Sequence, residues 1–151
     1  DLFFIGGSHS SRISIIHRLF MNNIHNNLNC YFIFLGRNSD QKNYDNCFKF
    51  INKALNHKEI VDLINKSKVI LDIQSDLQDG LTIRTFEALG SGKKLATTNK
   101  MIAKEPFYNE KNIYMFDPDN PIIPIEFINS PSVDVDMSAY SLTSFAYNLL
   151  K

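Results

Sequence analysis

The chain has no surplus of either charge: sixteen Lys and Arg residues balance sixteen Asp and Glu within 151 residues. Such a chain has no overall field to concentrate a polyanion, so nucleic-acid binding is not expected, and any small anion must be met by a few residues placed locally. No apolar run approaches the length that crosses a bilayer. A composition of 44% hydrophobic and 21% charged residues argues against disorder as well. Only two cysteines occur, Cys30 and Cys47. They stand alone in apolar stretches, without the paired spacing of a zinc site or a redox CxxC, and read as reduced core thiols, which points to a cytosolic compartment. There is no initiator Met and no signal peptide, and Asp1 opens directly into Leu2-Phe3-Phe4-Ile5. The segment therefore reads as cut from a longer protein. Internal repeats and low-complexity tracts are absent, and the abundance of Asn, Ile and Lys is a bias typical of AT-rich bacterial genes.

What is present suffices for one domain with one core. Short apolar runs rich in β-formers recur at residues 2–5, 31–35, 48–51, 69–73, 95–98 and 113–116. Most are too continuous for strands with one wet face, so they are expected to be buried on both sides. Between them lie helical patterns. Ile13, Ile16, Leu19, Phe20 and Ile24 share one face, Ile60, Leu63 and Ile64 another, and residues 82–89 form a third helix stopped by Gly90 and Gly92. A closing helix over 138–150 opens on a Ser cap, and the proline-rich stretch 118–131 is irregular, with one short helix near 125–128. Alternation of strand and helix implies right-handed βαβ units. The expected fold is a Rossmann-like three-layer α/β domain, a parallel sheet of about six strands with helices on both faces.

Ligands of such sheets bind beyond the carboxyl ends of the strands, which singles out the loops leaving them. These are Gly6-Gly7-Ser8-His9-Ser10-Ser11-Arg12, Gly36-Arg37-Asn38, the stretch from Gln74 to Gly80, Asn99-Lys100 and Asp117-Pro118-Asp119-Asn120. Gly6-Gly7 lacks the third glycine of the dinucleotide fingerprint, and no acid ends the second strand to hold a ribose, so a nicotinamide or flavin cofactor is not expected. The glycine pair still lets backbone approach a ligand, and Ser8, Ser10 and Ser11 precede a helix N-terminus suited to an anion; a plain strand-to-helix turn reads equally well. Arg12 lies in the first turn of that helix, where it opposes the dipole, so it is either a phosphate ligand or simply exposed. In the third helix Ile83, Phe86 and Leu89 are expected to face the core, leaving Thr82, Arg84 and Glu87 for the crevice rim or solvent. Arg84 and Glu87 are then either a phosphate clamp and a ribose acceptor, or an i,i+3 ion pair on a wet face worth a few tenths of a kcal/mol.

A resemblance bears on that choice. The segment from Phe48-Lys49-Phe50-Ile51 through Val69-Ile70-Leu71-Asp72-Ile73 looks like the donor domain of two-Rossmann-domain (GT-B) glycosyltransferases. So does Gly80-Leu81-Thr82-Ile83-Arg84-Thr85-Phe86-Glu87-Ala88-Leu89-Gly90, followed by Ser91-Gly92-Lys93-Lys94-Leu95-Ala96-Thr97-Thr98-Asn99. Phe4-Ile5-Gly6 resembles the family's opening strand. The wording from Gly80 to Lys100, with Phe107-Tyr108-Asn109, is most similar to bacterial lipopolysaccharide and capsular polysaccharide biosynthesis proteins. The resemblance implies that Glu87 matches the ribose-binding second acid of the family's Glu-x7-Glu motif, with the first acid falling at Asp79. It also implies that Arg12 stands where a diphosphate-binding Lys lies, while Gly7 replaces an Arg that follows the first glycine.

The expected site therefore has Arg12 and Arg84 in the catalytic role of stabilising a diphosphate leaving group, and Glu87, Gly6, Gly7, Gly80, Leu81, Thr82 and Asn99 binding the nucleotide diphosphate sugar, with no metal and no cofactor. The acceptor, a surface glycan, is expected on an N-terminal domain outside this chain, and the full-length protein is expected in the cytoplasm, at the inner face of the membrane if it associates peripherally. The resemblance leans toward retention of configuration. A nucleotide-sugar-binding regulator, a sugar-nucleotide epimerase on the same paired domains and a purely structural interaction domain remain alternatives. Three lookalikes are set aside. Asp134-Val135-Asp136 mimics a DxD metal motif but lies far from any nucleotide-binding strand. His9, His17, His25 and His57 lack ligand spacing such as HExxH, and only His9 lies in a crevice loop. Asp72, Asp76 and Asp79 cluster after a strand without EF-hand spacing, and are expected to be solvated loop residues.

Overall fold

The continuous apolar runs form strands: β1 (Leu2–Gly7), β2 (Cys30–Leu35), β3 (Phe48–Ile51), β4 (Val69–Asp72), β5 (Lys94–Thr97) and β6 (Ile113–Met115). They were located in a computed structural model that describes residues 1–36, 44–74 and 80–141. The strands make one six-stranded sheet in the order β3-β2-β1-β4-β5-β6. Every ladder is parallel. β4 and β5 are buried at every position, which is why their sequence shows no alternation of apolar and polar residues.

Side chains of successive strand residues leave the sheet on opposite faces, and two cores result. On one, Leu2, Phe4, Phe32, Phe34, Phe48, Leu71 and Ala96 pack under Ile13, Ile16 and Leu19 of α1 (Ser10–Asn22) and Ile128 of α4 (Ile125–Asn129). On the other, Phe3, Ile33, Ile70, Leu95 and Ile113 pack under Ile64 of α2 (His57–Asn65) and Ala88 and Leu89 of α3 (Ile83–Gly90). The domain is therefore wound on both faces, as the alternation of elements implied. α2 starts on a reciprocal cap, in which the Asn56 side chain accepts from the Glu59 N–H at 3.0 Å and the Glu59 carboxylate accepts from the Asn56 N–H at 2.7 Å.

Two expectations are corrected. The buried face of α3 carries Thr85, Ala88 and Leu89, whereas Ile83 is 65% exposed. Thr85, Ala88 and Leu89 lie three, one and four residues apart on one stripe, which leaves Ile83, in the first turn, on the outer side; Phe86 is half-buried and packs against the ring of Tyr140. At the other end of the chain, residues Ser138–Tyr140 form a single 3₁₀ turn, and the carboxylate of Asp136 accepts the Ser138 N–H at 2.9 Å. The remainder of the expected closing helix, 142–150, lies outside the described residues.

Candidate functional site

The strand order reverses between β1 and β4: the chain winds outward from β1 through β2 to β3, then crosses back to start β4 on the other side of β1. The loops leaving these two strands run to opposite faces and leave a crevice between them. The ladders register the divergence. β1 pairs with β2 along its whole length, Leu2↔Cys30 to Gly7↔Leu35, but with β4 only at Leu2↔Val69 and Phe3↔Ile70. Gly6 and Gly7, expected in the loop after the first strand, are instead the last two residues of β1, paired with Phe34 and Leu35, and a Cβ on Gly7 would come within 3.2 Å of the His9 ring. Gly36, at the end of β2, has φ +129° and lies so close to the Ser8 hydroxyl that a side chain there would collide with it.

Two helices begin at this crevice, and neither has a side-chain cap or an acid in its first turn. His9 occupies the cap position of α1 and Thr82 that of α3. The Thr82 hydroxyl is turned away to donate to the Asp72 carboxylate at 2.9 Å. The first backbone N–H groups of each helix are thus left for water or a ligand, and neither first turn carries an acid of its own to meet the positive end of the dipole. Each first turn carries an arginine instead, Arg12 in α1 and Arg84 in α3. Arg12 spans the crevice, its Nε donating to the Ile73 carbonyl at 3.1 Å.

Beneath the arginines lies Asp72, the last residue of β4 and only 3% exposed. It accepts from the hydroxyls of Thr82 at 2.9 Å and Thr97 at 3.1 Å. Burial pushes its carboxyl above the usual aspartate range, against the opposing pull of those hydroxyls and of Arg12 and Arg84. The expectation that Asp72 is a solvated loop residue is therefore corrected: it closes the strand from inside, and it ties the starts of α3 and of the loop after β5 to the floor of the crevice. Asp76 and Asp79 lie outside the described residues.

Arg84 and Glu87 are brought together as an ion pair, Nη1 to Oε2 at 2.5 Å. The pair is 17% and 22% exposed, so it is not the wet-face pair of the simpler reading. Both atoms are buried, and among the described residues neither has a hydrogen-bond partner; they meet as charges without donor alignment. Thr85, facing inward from the same turn, also has a buried hydroxyl without a partner among the described residues. Asn99 is fully buried with both ends of its amide engaged: Nδ2 donates to the Gly80 carbonyl at 2.9 Å and Oδ1 accepts from the Met101 N–H at 2.9 Å. It holds the Gly80 turn in place. Gly80 has φ +91° and open space where a Cβ would lie, so its glycine serves the backbone turn rather than close packing. Leu81 and Thr82 follow half-buried at the entrance to α3.

Of the sequence-derived candidates, Gly6, Gly7 and Arg12 lie on one side of the crevice and Gly80, Leu81, Thr82, Arg84 and Asn99 on the other, with Glu87 one turn along α3. Asp72, Thr85 and Thr97 were missed, and the available signal was a carboxylate ending a run otherwise wholly apolar. His17 is engaged in packing against the rings of Tyr44 and Phe48. Asp134 and Asp136 line a separate groove of about 340 Å³ with Phe107, Tyr108 and Tyr140. Among the described residues no group of three His, Cys, Asp or Glu is arranged to hold a metal, and no helix is long and apolar enough to cross a membrane.

No curated protein matches the chain. A family model described as glycosyl transferase-like does, over residues 15–123, from the middle of α1 to the residues before α4, a span that includes Asp72, Arg84, Glu87 and Asn99. With more than two thirds of its length matched, the chain belongs to this glycosyl transferase-like family.

Proposed function

We propose that this domain holds the nucleotide diphosphate sugar donor of a GT-B glycosyltransferase that builds a bacterial surface glycan of the lipopolysaccharide or capsule type. Glycosyl transfer is the general function of the family. The observation that carries the finer reading is the pair of uncapped helix N-termini, each with an arginine in its first turn, at the point where β1 and β4 diverge. Departure of a nucleoside diphosphate places negative charge on its outer phosphate. Helix amides and guanidinium groups fixed beforehand stabilise that charge without reorganising, a task that a metal ion performs in other transferases. Arg12 and Arg84 take this role. Glu87, one turn further along α3, accepts the hydroxyls of the ribose, and Gly6, Gly7, Gly80, Leu81 and Thr82 form the backbone walls. Asn99 supports the site through the Gly80 carbonyl. The acceptor and the remaining catalytic groups belong to a second domain, so this chain alone binds donor without transferring sugar.

The Arg84–Glu87 contact adds a requirement. A donor must draw the two side chains apart, the guanidinium toward phosphate and the carboxylate toward ribose. Calorimetric titration with a nucleoside and its diphosphate tests the assignment. Each charge-assisted bond from the ribose diol contributes roughly 1.5–3 kcal/mol, so Glu87→Gln should weaken both ligands by about tenfold or more. Arg84→Ala should weaken the diphosphate strongly and the bare nucleoside little. Equal losses for both ligands in the Arg84 variant would sink the assignment.

A further inference from the structure

The edge of the sheet opposite the crevice, where the strands begin, carries a second basic site. A cavity of about 280 Å³ opens there between the turn before β4, the turn before β5 and the segment after α4, lined by Lys68, Lys93, Lys94, Asn129, Ser130 and Ser132. The three ammonium groups are fixed from behind. Lys68 Nζ donates to Asn129 Oδ1 at 2.9 Å and pairs with Asp1 at 2.9 Å. Lys93 Nζ donates to the Asn65 carbonyl at 2.9 Å. Lys94 is 2% exposed, and its Nζ donates to the Phe127 carbonyl and, at 2.9 Å, to Ser130 Oγ, while lying over the Phe127 ring.

Charge is what these contacts leave over. Among the described residues Lys94 and Lys93 form no ion pair with a carboxylate, and Asp1 offsets only Lys68. Neutral carbonyls and hydroxyls satisfy the donors of a buried ammonium without cancelling its charge, and such a charge is costly unless something opposes it. Burial and the nearby Lys68 both push the Lys94 ammonium below its usual range, which agrees with an uncompensated positive site. The carbonyl end of α4 supplies part of the opposition, but that helix has only five residues.

We propose that this cavity is a second anion-binding site, for a phosphate-type dianion, with Lys68, Lys93 and Lys94 as its charges and the Ser132 hydroxyl as its directional donor, the Ser130 hydroxyl being spent on the Phe127 carbonyl at 3.1 Å. It lies at the opposite edge of the sheet from the crevice, so it does not serve the diphosphate of the donor. A free phosphate or phosphomonoester and the headgroup of an anionic lipid share this chemistry.

Thermal unfolding of the wild type, of Lys68→Gln/Lys93→Gln and of Arg12→Ala/Arg84→Ala, each in inorganic phosphate and in chloride of equal ionic strength, tests the site. Lys94 is left in place because it also holds α4. The expected result is a phosphate-induced rise in Tm that persists in the arginine variant and disappears in the lysine variant, whose circular dichroism stays that of the wild type. A rise undiminished in the lysine variant, or one lost in the arginine variant whether or not the lysine variant also loses it, places phosphate at the crevice and overturns the proposal, as does the absence of any rise. Sedimentation with vesicles of phosphatidylcholine alone or with added phosphatidic acid separates the sources. Lysine-dependent capture by the acidic vesicles assigns the site to a lipid headgroup, and a phosphate response without capture assigns it to a soluble phosphate.

Discussion

Asp72 combines three properties that rarely coincide in a carboxylate: it ends a fully buried strand, it accepts from two threonine hydroxyls, and it lies within the field of two arginines. Burial outweighs the rest and raises its pKa above the ordinary 3.8. Below 3.8 folded and unfolded chains both hold the proton, and the group costs nothing. As pH rises, the unfolded chain releases its proton first, so stability falls until the folded pKa is passed and stays lower beyond it. Asp72→Asn removes this decline. The threonine hydroxyls can turn to accept from the new amide, so the contacts survive in altered form. Urea midpoints of the two proteins measured across this range should show the variant gaining on the wild type as pH rises; a difference independent of pH would mean that Asp72 ionises freely.

The helix α3 shows how far an element can be inferred and where inference stops. Its existence and its end were legible, because Phe86-Glu87-Ala88-Leu89 precedes Gly90 and Gly92. Its phase was not, since a helix of eight residues contains few apolar positions and Ile83 fits either side. Leu89→Ala, which empties a position only 4% exposed, should cost about 2–5 kcal/mol, whereas Ile83→Ala should stay within about 0.5 kcal/mol. Denaturant unfolding of the two variants checks the assignment, and the reverse order would restore Ile83 to the core. The strands were read with little error because runs such as Val69-Ile70-Leu71 are buried on both faces and leave no other element type to fit. The polar residues at their ends were harder. Asp72 and Lys94 each adjoin a loop, and only the tertiary structure, by wrapping a neighbouring segment over them, turns a loop residue into a buried charge. For the same reason the sequence left Arg84 and Glu87 open between ligand groups and a wet-face ion pair, whereas the two are paired and mostly buried.

At the scale of the molecule, the short ladder between β1 and β4 has a mechanical consequence. Two half-sheets, β3-β2-β1 and β4-β5-β6, each carry longer internal ladders than the seam that joins them, which is paired only at Leu2↔Val69 and Phe3↔Ile70. Cohesion across the seam comes from side chains instead, with Leu2 and Phe4 packed among Val69, Leu71 and Ala96. Packing of this kind yields in units, so the two halves should open as separate cooperative blocks before global unfolding. Amide hydrogen exchange would reveal them as two sets of protection factors, one spanning β1 to β3 and the other β4 to β6, and a single uniform set would contradict this. A diphosphate held between the first turns of α1 and α3 would bridge the seam at its open end, so that saturation with ligand should merge the two blocks into one.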